Sequence, residues 1–236
     1  MASLTPFFHR GAMIEILYKN SDFIAVYKPA GVPSQSDTTE DLDAMSASAG
    51  ALRELGEDSR LWLVHRLDRV VGGILIFARN KAAASSLSEL VGGNGMEKKY
   101  LAVVHGEAID GKLVDYLYKD ARQGKAFVVK EGKNGAKRAE LECSALASVK
   151  TERGDYTLVR VKLHTGRFHQ IRVQLSSRGA SIVGDGKYGS RDNKAKMPAL
   201  FSSSLAFEFG KEKFEIKRLP DINSYPWSLF DWSNIK

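Results

Sequence analysis

From Lys98 onward the chain reads as one β-prone run after another: Tyr100 to His105, Lys112 to Leu117, Ala126 to Lys130, Ala139 to Val149 and Tyr156 to His164. Turn signals such as Gly132-Lys133-Asn134-Gly135 separate them. Long strands with few helices between them can bury their apolar faces only by pairing side by side. This predicts an α+β fold on a mostly antiparallel mixed β-sheet with flanking helices. The earlier part supplies a hairpin, Met13 to Tyr18 and Phe23 to Lys28, around Lys19-Asn20-Ser21-Asp22. It also supplies a short run at Leu61 to Val64 and the continuously apolar Ile74 to Ala78, which suits a central strand. Between them, Lys28-Pro29-Ala30-Gly31-Val32-Pro33 cannot continue a regular element and must be a shaped loop. Helical spacing predicts a helix over Asp41 to Leu55 with Thr38 or Thr39 as cap, and a second after Asn80 to about Leu90. A third is expected from near Phe168 to a stop at Gly179, followed by strands near Leu200 to Phe209 and Lys213 to Lys217. With no repeat or linker evident, a single catalytic domain over residues 1–236 is expected, its aromatic tail 218–236 (Trp227, Phe230, Trp232) packed on it.

Charge matters here through its location. The net +7 resides entirely in Arg160 to Lys196, which holds nine Lys/Arg against Asp185 and Asp192, while the rest of the chain sums to zero. Concentrated positive charge suits a polyanion, because each neutralised phosphate releases counterions. A solvated basic face is the other reading. The single cysteine, Cys143, excludes an intrachain disulfide and reads as a buried thiol in the alternating stretch Ala139 to Ala145. Five scattered histidines (9, 65, 105, 164, 169) offer no metal-ligand spacing, so no metal and no cofactor is expected. No apolar run approaches membrane-spanning length and no secretory signal precedes Gly11, so the expectation is a soluble, cytoplasmic protein.

Three stretches could carry chemistry. His65-Arg66-Leu67-Asp68 places charged residues in a turn between apolar strands, a usual place for functional groups, although Asp68 could equally pair with Arg66 or Arg69 on a surface turn. Leu163 to Arg172 gathers Arg167, His169, Gln170 and Arg172 at a helix start, where backbone N–H groups and guanidinia suit phosphate. Phe168 and Ile171 among them imply partial burial, which would force Arg172 to find a carboxylate. Tyr100 heads the strand after Lys98-Lys99, where a tyrosine either packs or stacks on a nucleobase.

Together these stretches resemble the RluA-type RNA pseudouridine synthases. His65 to Ala78 looks like the family's His-Arg-Leu-Asp, Gly and apolar strand, with Asp68 at the catalytic aspartate. Lys98 to Tyr100 resembles its Lys-x-Tyr segment, and Thr165 to Arg172 matches Thr-Gly-Arg-x-His-Gln-Ile-Arg without a gap. Gly184, Asp185, Tyr188 and Gly189 fit the next motif, and Lys28-Pro29-Ala30-Gly31 resembles the early loop. The likeness spans roughly residues 14–217 and departs after the aspartate, where Val71-Gly72 stands in place of the frequent Thr-Ser. No stretch resembles the small S4-like domain of many relatives, which implies substrate choice by the catalytic domain and a compact stem-loop in ribosomal or transfer RNA.

The resemblance implies an isomerase that breaks the N1 to ribose bond of a flipped-out uridine, rotates the base and joins C5 to C1′, with Asp68 as nucleophile. Desolvation alone would favour the neutral acid, so a cation must oppose it, and the resemblance assigns Arg172 to that role. Tyr100 is expected to stack on the base. Arg66, Arg167, His169, Gln170, Lys187 and Arg191 are expected to contact RNA, and the protein to act as a monomer. Two competing readings are a non-catalytic RNA-binding protein on the same scaffold and a metal-dependent nuclease using Asp68 and His65. The first leaves an acidic residue facing an anionic ligand unexplained, and the second lacks a further carboxylate cluster.

Overall fold

The computed structural model describes residues 7–9, 12–36, 41–107, 109–233 and 235. The elements run β1 (Phe7–His9), β2 (Ala12–Lys19), β3 (Phe23–Lys28), α1 (Ala44–Glu54), β4 (Trp62–Leu63), β5 (Gly72–Ala78), α2 (Lys81–Gly92), β6 (Met96–His105) and β7 (Gly111–Asp120). They continue as β8 (Lys125–Val129), β9 (Lys137–Thr151), β10 (Gly154–Leu163), α3 (Gln170–Ser176), β11 (Leu200–Phe209) and β12 (Glu212–Lys217), with 3-10 turns at Gly186–Tyr188 and Trp227–Leu229. Two compact units result: Met1–Glu97 with Ser202–Leu219, and Lys98–Phe201 with Pro220–Lys236.

In the first unit the strands lie in the order β1-β2-β3-β5-β11, with β4 also on β5 and β12 on β11. The expected hairpin forms because Asn20 closes it: its Oδ1 accepts from the backbone N–H of Asp22 (2.9 Å) and Phe23 (2.8 Å). Every residue of β5 is buried, as its unbroken apolar run requires. Phe23, Ile74, Ile76, Leu205 and Phe207 pack with Leu87 of α2 into one core, with Phe23 edge-on to Phe207 and Phe214 at 5.5 and 5.1 Å. Gly73 is a sheet contact in itself. Its φ is +125°, and a Cβ there would fall on the backbone of Ser202.

Asn80 caps α2 as expected, accepting from Ala83 N–H at 2.8 Å. For α1 the cap is Asp43, which accepts from Ser46 N–H at 3.0 Å; Thr38 and Thr39, the expected caps, lie outside the described residues. The helix therefore starts later than Asp41, since Asp43 spends its side chain on the first turn.

In the second unit the order is β6-β10-β9-β7-β8, antiparallel in each register. Tyr100 lies opposite Val161 and His105 opposite Tyr156. Helix α3 packs against β7 and β8, where Val173, Phe168 and Tyr188 meet Leu117, Ala126 and Ala139. Cys143 is buried in β9, and burial pushes its thiol up to about 11, which fits the structural role expected of it. The α+β class with antiparallel pairing and flanking helices is the one expected.

Candidate active site

The turn bearing Asp68 is fixed by the loop that follows β3. Lys28, fully buried, donates from Nζ to the carbonyls of Val32 (2.7 Å), Pro29 (3.1 Å) and Arg69 (3.2 Å). An ammonium has three protons, and three carbonyls accept them. Burial pushes the Lys28 pKa down to about 7, while the Asp68 carboxylate pulls it back up and Arg69 pushes it further down. Ser34 adds a second clasp, donating to Leu67 O (2.8 Å) and accepting from Leu67 N–H (3.0 Å). A third is reciprocal: Gly31 N–H donates to Arg69 O (2.8 Å), and Arg69 Nε to Gly31 O (3.0 Å).

His65 ties the same turn to β5, its Nε2 accepting from Ile76 N–H at 3.2 Å. That nitrogen is thereby removed from the ligand set which the nuclease reading needs. On this turn Arg66 is exposed and Asp68 half-buried.

The second unit builds a different cluster. Arg172, on α3 and 4% exposed, meets Asp185 side-on with Nε to Oδ2 at 2.7 Å and a second nitrogen to Oδ1 at 2.8 Å. Its guanidinium also lies 5.0 Å from the Tyr188 ring centroid. The carboxylate that burial required of Arg172 is thus supplied from the Gly184 to Gly189 motif. Tyr188 is the hub: its hydroxyl accepts from Ala126 N–H at 2.8 Å and is hydrogen-bonded to His169 Nδ1 at 2.9 Å. Burial first, and then Arg172, Lys187 and Lys119, hold His169 down to about 3, which keeps it neutral at ordinary pH. His169 also takes the left-handed conformation, φ +52°, that precedes α3.

Gln170 is 3% exposed and bonded at both ends of its amide: Oε1 accepts from Thr165 Oγ1 (2.8 Å) and Arg167 N–H (3.0 Å), and Nε2 donates to Glu140 O (3.1 Å). Two of the residues expected to contact RNA, His169 and Gln170, therefore have these polar groups engaged inside the protein, ordering the turn into α3. Arg167 is exposed, with Nε held on Arg138 O (2.9 Å). Lys187 is exposed with Nζ on Gly124 O (3.0 Å), and Arg191 is exposed. Tyr100 is 7% exposed in β6. Gly184, φ +80°, allows the chain to pass against the Met197 backbone, where a Cβ would collide.

Sequence reading named Lys28 and Asp185 as motif matches without giving either a role in the site, and did not single out Ser34. A signal for Lys28 existed: a lysine ends the apolar run Phe23 to Val26 and is followed by prolines, so it has no solvated strand to return to. For Asp185 the signal was an acid, one of two, in the basic segment. Ser34 carried none. Among the described residues no helix is long and apolar enough to cross a membrane.

The fold is that of the pseudouridine synthases. The chain matches the RNA pseudouridylate synthase family model over residues 22–177 and belongs to that family of RNA-modifying isomerases. It is 31% identical over 214 residues to an uncharacterised RNA pseudouridine synthase of Haemophilus influenzae, covering 90% of each chain. It is 33% identical over 186 residues to tRNA pseudouridine synthase C of Haemophilus ducreyi, covering 75% of this chain and 74% of that one. The structure is similar to human RNA pseudouridylate synthase domain containing 1, with TM-score 0.72, 25% identity and coverage of 91% and 86%. Against other relatives the chain spans about three fifths of their length. The RluA-type resemblance read from the motifs is borne out.

Proposed function

We propose that this protein isomerises a uridine in a structured ribosomal or transfer RNA to pseudouridine, working as a monomer in the cytoplasm with one catalytic domain and no cofactor. Asp68 is the nucleophile in this reading. The observation that carries it is the match over 22–177, a span that contains Asp68, Tyr100 and Arg172 at the motif positions. The clasps by Lys28, Ser34 and Gly31 support it, because a turn held by that many hydrogen bonds presents its carboxylate with little rearrangement.

The reaction needs the N1 to C1′ bond broken, the uracil turned, C5 joined to C1′ and the C5 proton removed. Attack at C1′, attack at C6 and passage through a glycal all use the same carboxylate. Arg172 is assigned as the cation that keeps it ionised, and Tyr100 as the ring that stacks on the base and assists the final deprotonation. Extruding the nucleotide costs a few kcal/mol, least in a loop, and phosphate contacts from Arg66, Arg167, Lys187 and Arg191 offset it. His169 and Gln170 act by shaping the α3 start.

The test is Asp68→Asn, scored by pseudouridine mapping of RNA from cells with and without the protein and by turnover of the purified enzyme. Pseudouridine formation should vanish while RNA binding and folding persist, and full activity in this variant would remove the mechanism. Arg172→Met should lower turnover by orders of magnitude.

A further inference from the structure

Apart from the cluster around Arg172, the second unit holds an open cavity of about 480 Å³. Its lining includes His105, Tyr156, Arg153, Ser181, Arg191 and Asn193. It is a separate place from the Tyr100 position. His105 and Tyr156 are opposite one another at the far end of the β6 and β10 pairing, five residues along β6 from Tyr100 and on the other face of the strand. Five residues of strand amount to roughly 17 Å.

One acid, Asp192, lines the cavity, and its carboxylate is fully engaged. Oδ2 accepts from the hydroxyls of Tyr225 and, at 3.3 Å, Tyr156; Oδ1 accepts from the N–H of Lys194 (2.8 Å) and Ala195 (3.4 Å). It organises the loop. Cations stand beside it. Arg153 and Arg191 are exposed and make no ion pair with a described residue, and Lys194 is held 4.3 Å over the Tyr225 ring. Ser190 Oγ accepts from Gly184 N–H (3.1 Å) and Asp192 N–H (3.3 Å), so its own proton goes to His105 Nε2 at 2.9 Å. Burial, against the pull of Asp192, keeps His105 below its ordinary pKa; the neutral ring then carries its proton on Nδ1, a donor rather than an acceptor.

We propose that this cavity is a second RNA subsite, taking a backbone phosphate several nucleotides from the reacting uridine on the two guanidinia of Arg153 and Arg191. It rests on the reading that the substrate is RNA. Two exposed guanidinia among the lining residues outweigh the single carboxylate of Asp192, whose oxygens are already bonded to four donors, and this balance suits a phosphodiester. The site lets a stem away from the target loop add affinity and direction without touching the chemistry.

The test uses a fluorescein-labelled, unmodified RNA hairpin with a uridine-containing loop, titrated by anisotropy from about 50 to 300 mM salt. For Arg153→Gln with Arg191→Gln we expect several-fold weaker binding at low salt. The slope of log affinity on log salt should be shallower by about 0.7 to 1.8, the loss of one or two phosphate contacts. The paired Lys variants should restore most of the slope, which a merely structural defect would not allow. Lys211→Gln, an exposed change in the first unit, should leave the slope alone. Inorganic phosphate is titrated in parallel. Phosphate binding that the Gln pair abolishes, with the RNA slope intact, would mark a free-anion site and overturn the proposal, as would no change in either. Pseudouridine formation by the wild-type protein is scored separately, so failure of the isomerase reading and failure of this subsite give different results.

Discussion

At the scale of single residues, Lys28 shows how a buried charge can be structural and still bear on chemistry. Its three carbonyl partners lie on two segments, the loop after β3 and the turn carrying Asp68, so one ammonium joins them. Lys28→Met leaves those carbonyls without a donor and should cost about 1–3 kcal/mol in urea denaturation. It should also lower turnover through looser placement of Asp68. The pH dependence has a defined sign. With the folded value at about 7 and the ordinary lysine value at 10.5, the unfolded chain holds the extra proton between them. Stability contributed by this group therefore rises with pH from about 7 to 10.5 and is lowest below 7. Denaturation of wild type and Lys28→Met in parallel at pH near 7 and near 9.5 should show the difference shifting toward wild type at the higher pH; a pH-independent difference would contradict it. Lys28 was legible only as part of a motif, because nothing local says that the lysine ending a strand will be sealed in.

At the scale of elements, two features decide where side chains fall. Gly73 lets β5 approach Ser202 on the neighbouring strand. Gly73→Ala adds a Cβ onto that backbone and strains a positive φ, so a loss of roughly 2–4 kcal/mol is expected in thermal or urea unfolding. Replacing Asp43, the α1 cap, with Ala should cost only about 1 kcal/mol, since one N–H of the first turn loses its acceptor. The contrast between the two separates sheet contact from capping. The existence of these elements was legible from periodicity and turn chemistry, and α2 starts where Asn80 said it would. The start of α1 was not, because Asp43 competes with the threonines upstream and local propensity does not rank them. The short α3 was expected two residues earlier, near Phe168; His169 in the left-handed conformation and the Gln170 bonds delay it.

At the scale of the whole molecule, the charge pattern sets the binding behaviour. Of the nine cations between 160 and 196, Arg172 and Arg178 are engaged by Asp185 and Asp115, while Arg167, Lys187, Arg191, Lys194 and Lys196 are exposed. If about four of these meet phosphates, raising salt from about 50 to 200 mM should weaken RNA binding by roughly two orders of magnitude. Affinity insensitive to salt would contradict the polyanion reading. Residue order alone determined the class of fold, the strand-rich layout and the family, because hydrophobic period, turn residues and a run such as Thr165 to Arg172 are written locally. Only the tertiary structure decided which groups are already spoken for: that Arg172 holds Asp185, that Gln170 and His169 bond within the protein, and that Asp192 accepts from Tyr225. Those outcomes depend on partners between 13 and 33 residues apart for the Arg172–Asp185 and Tyr225–Asp192 pairs. A hydrogen bond across such a gap exists only once folding has excluded the water that would otherwise satisfy both groups.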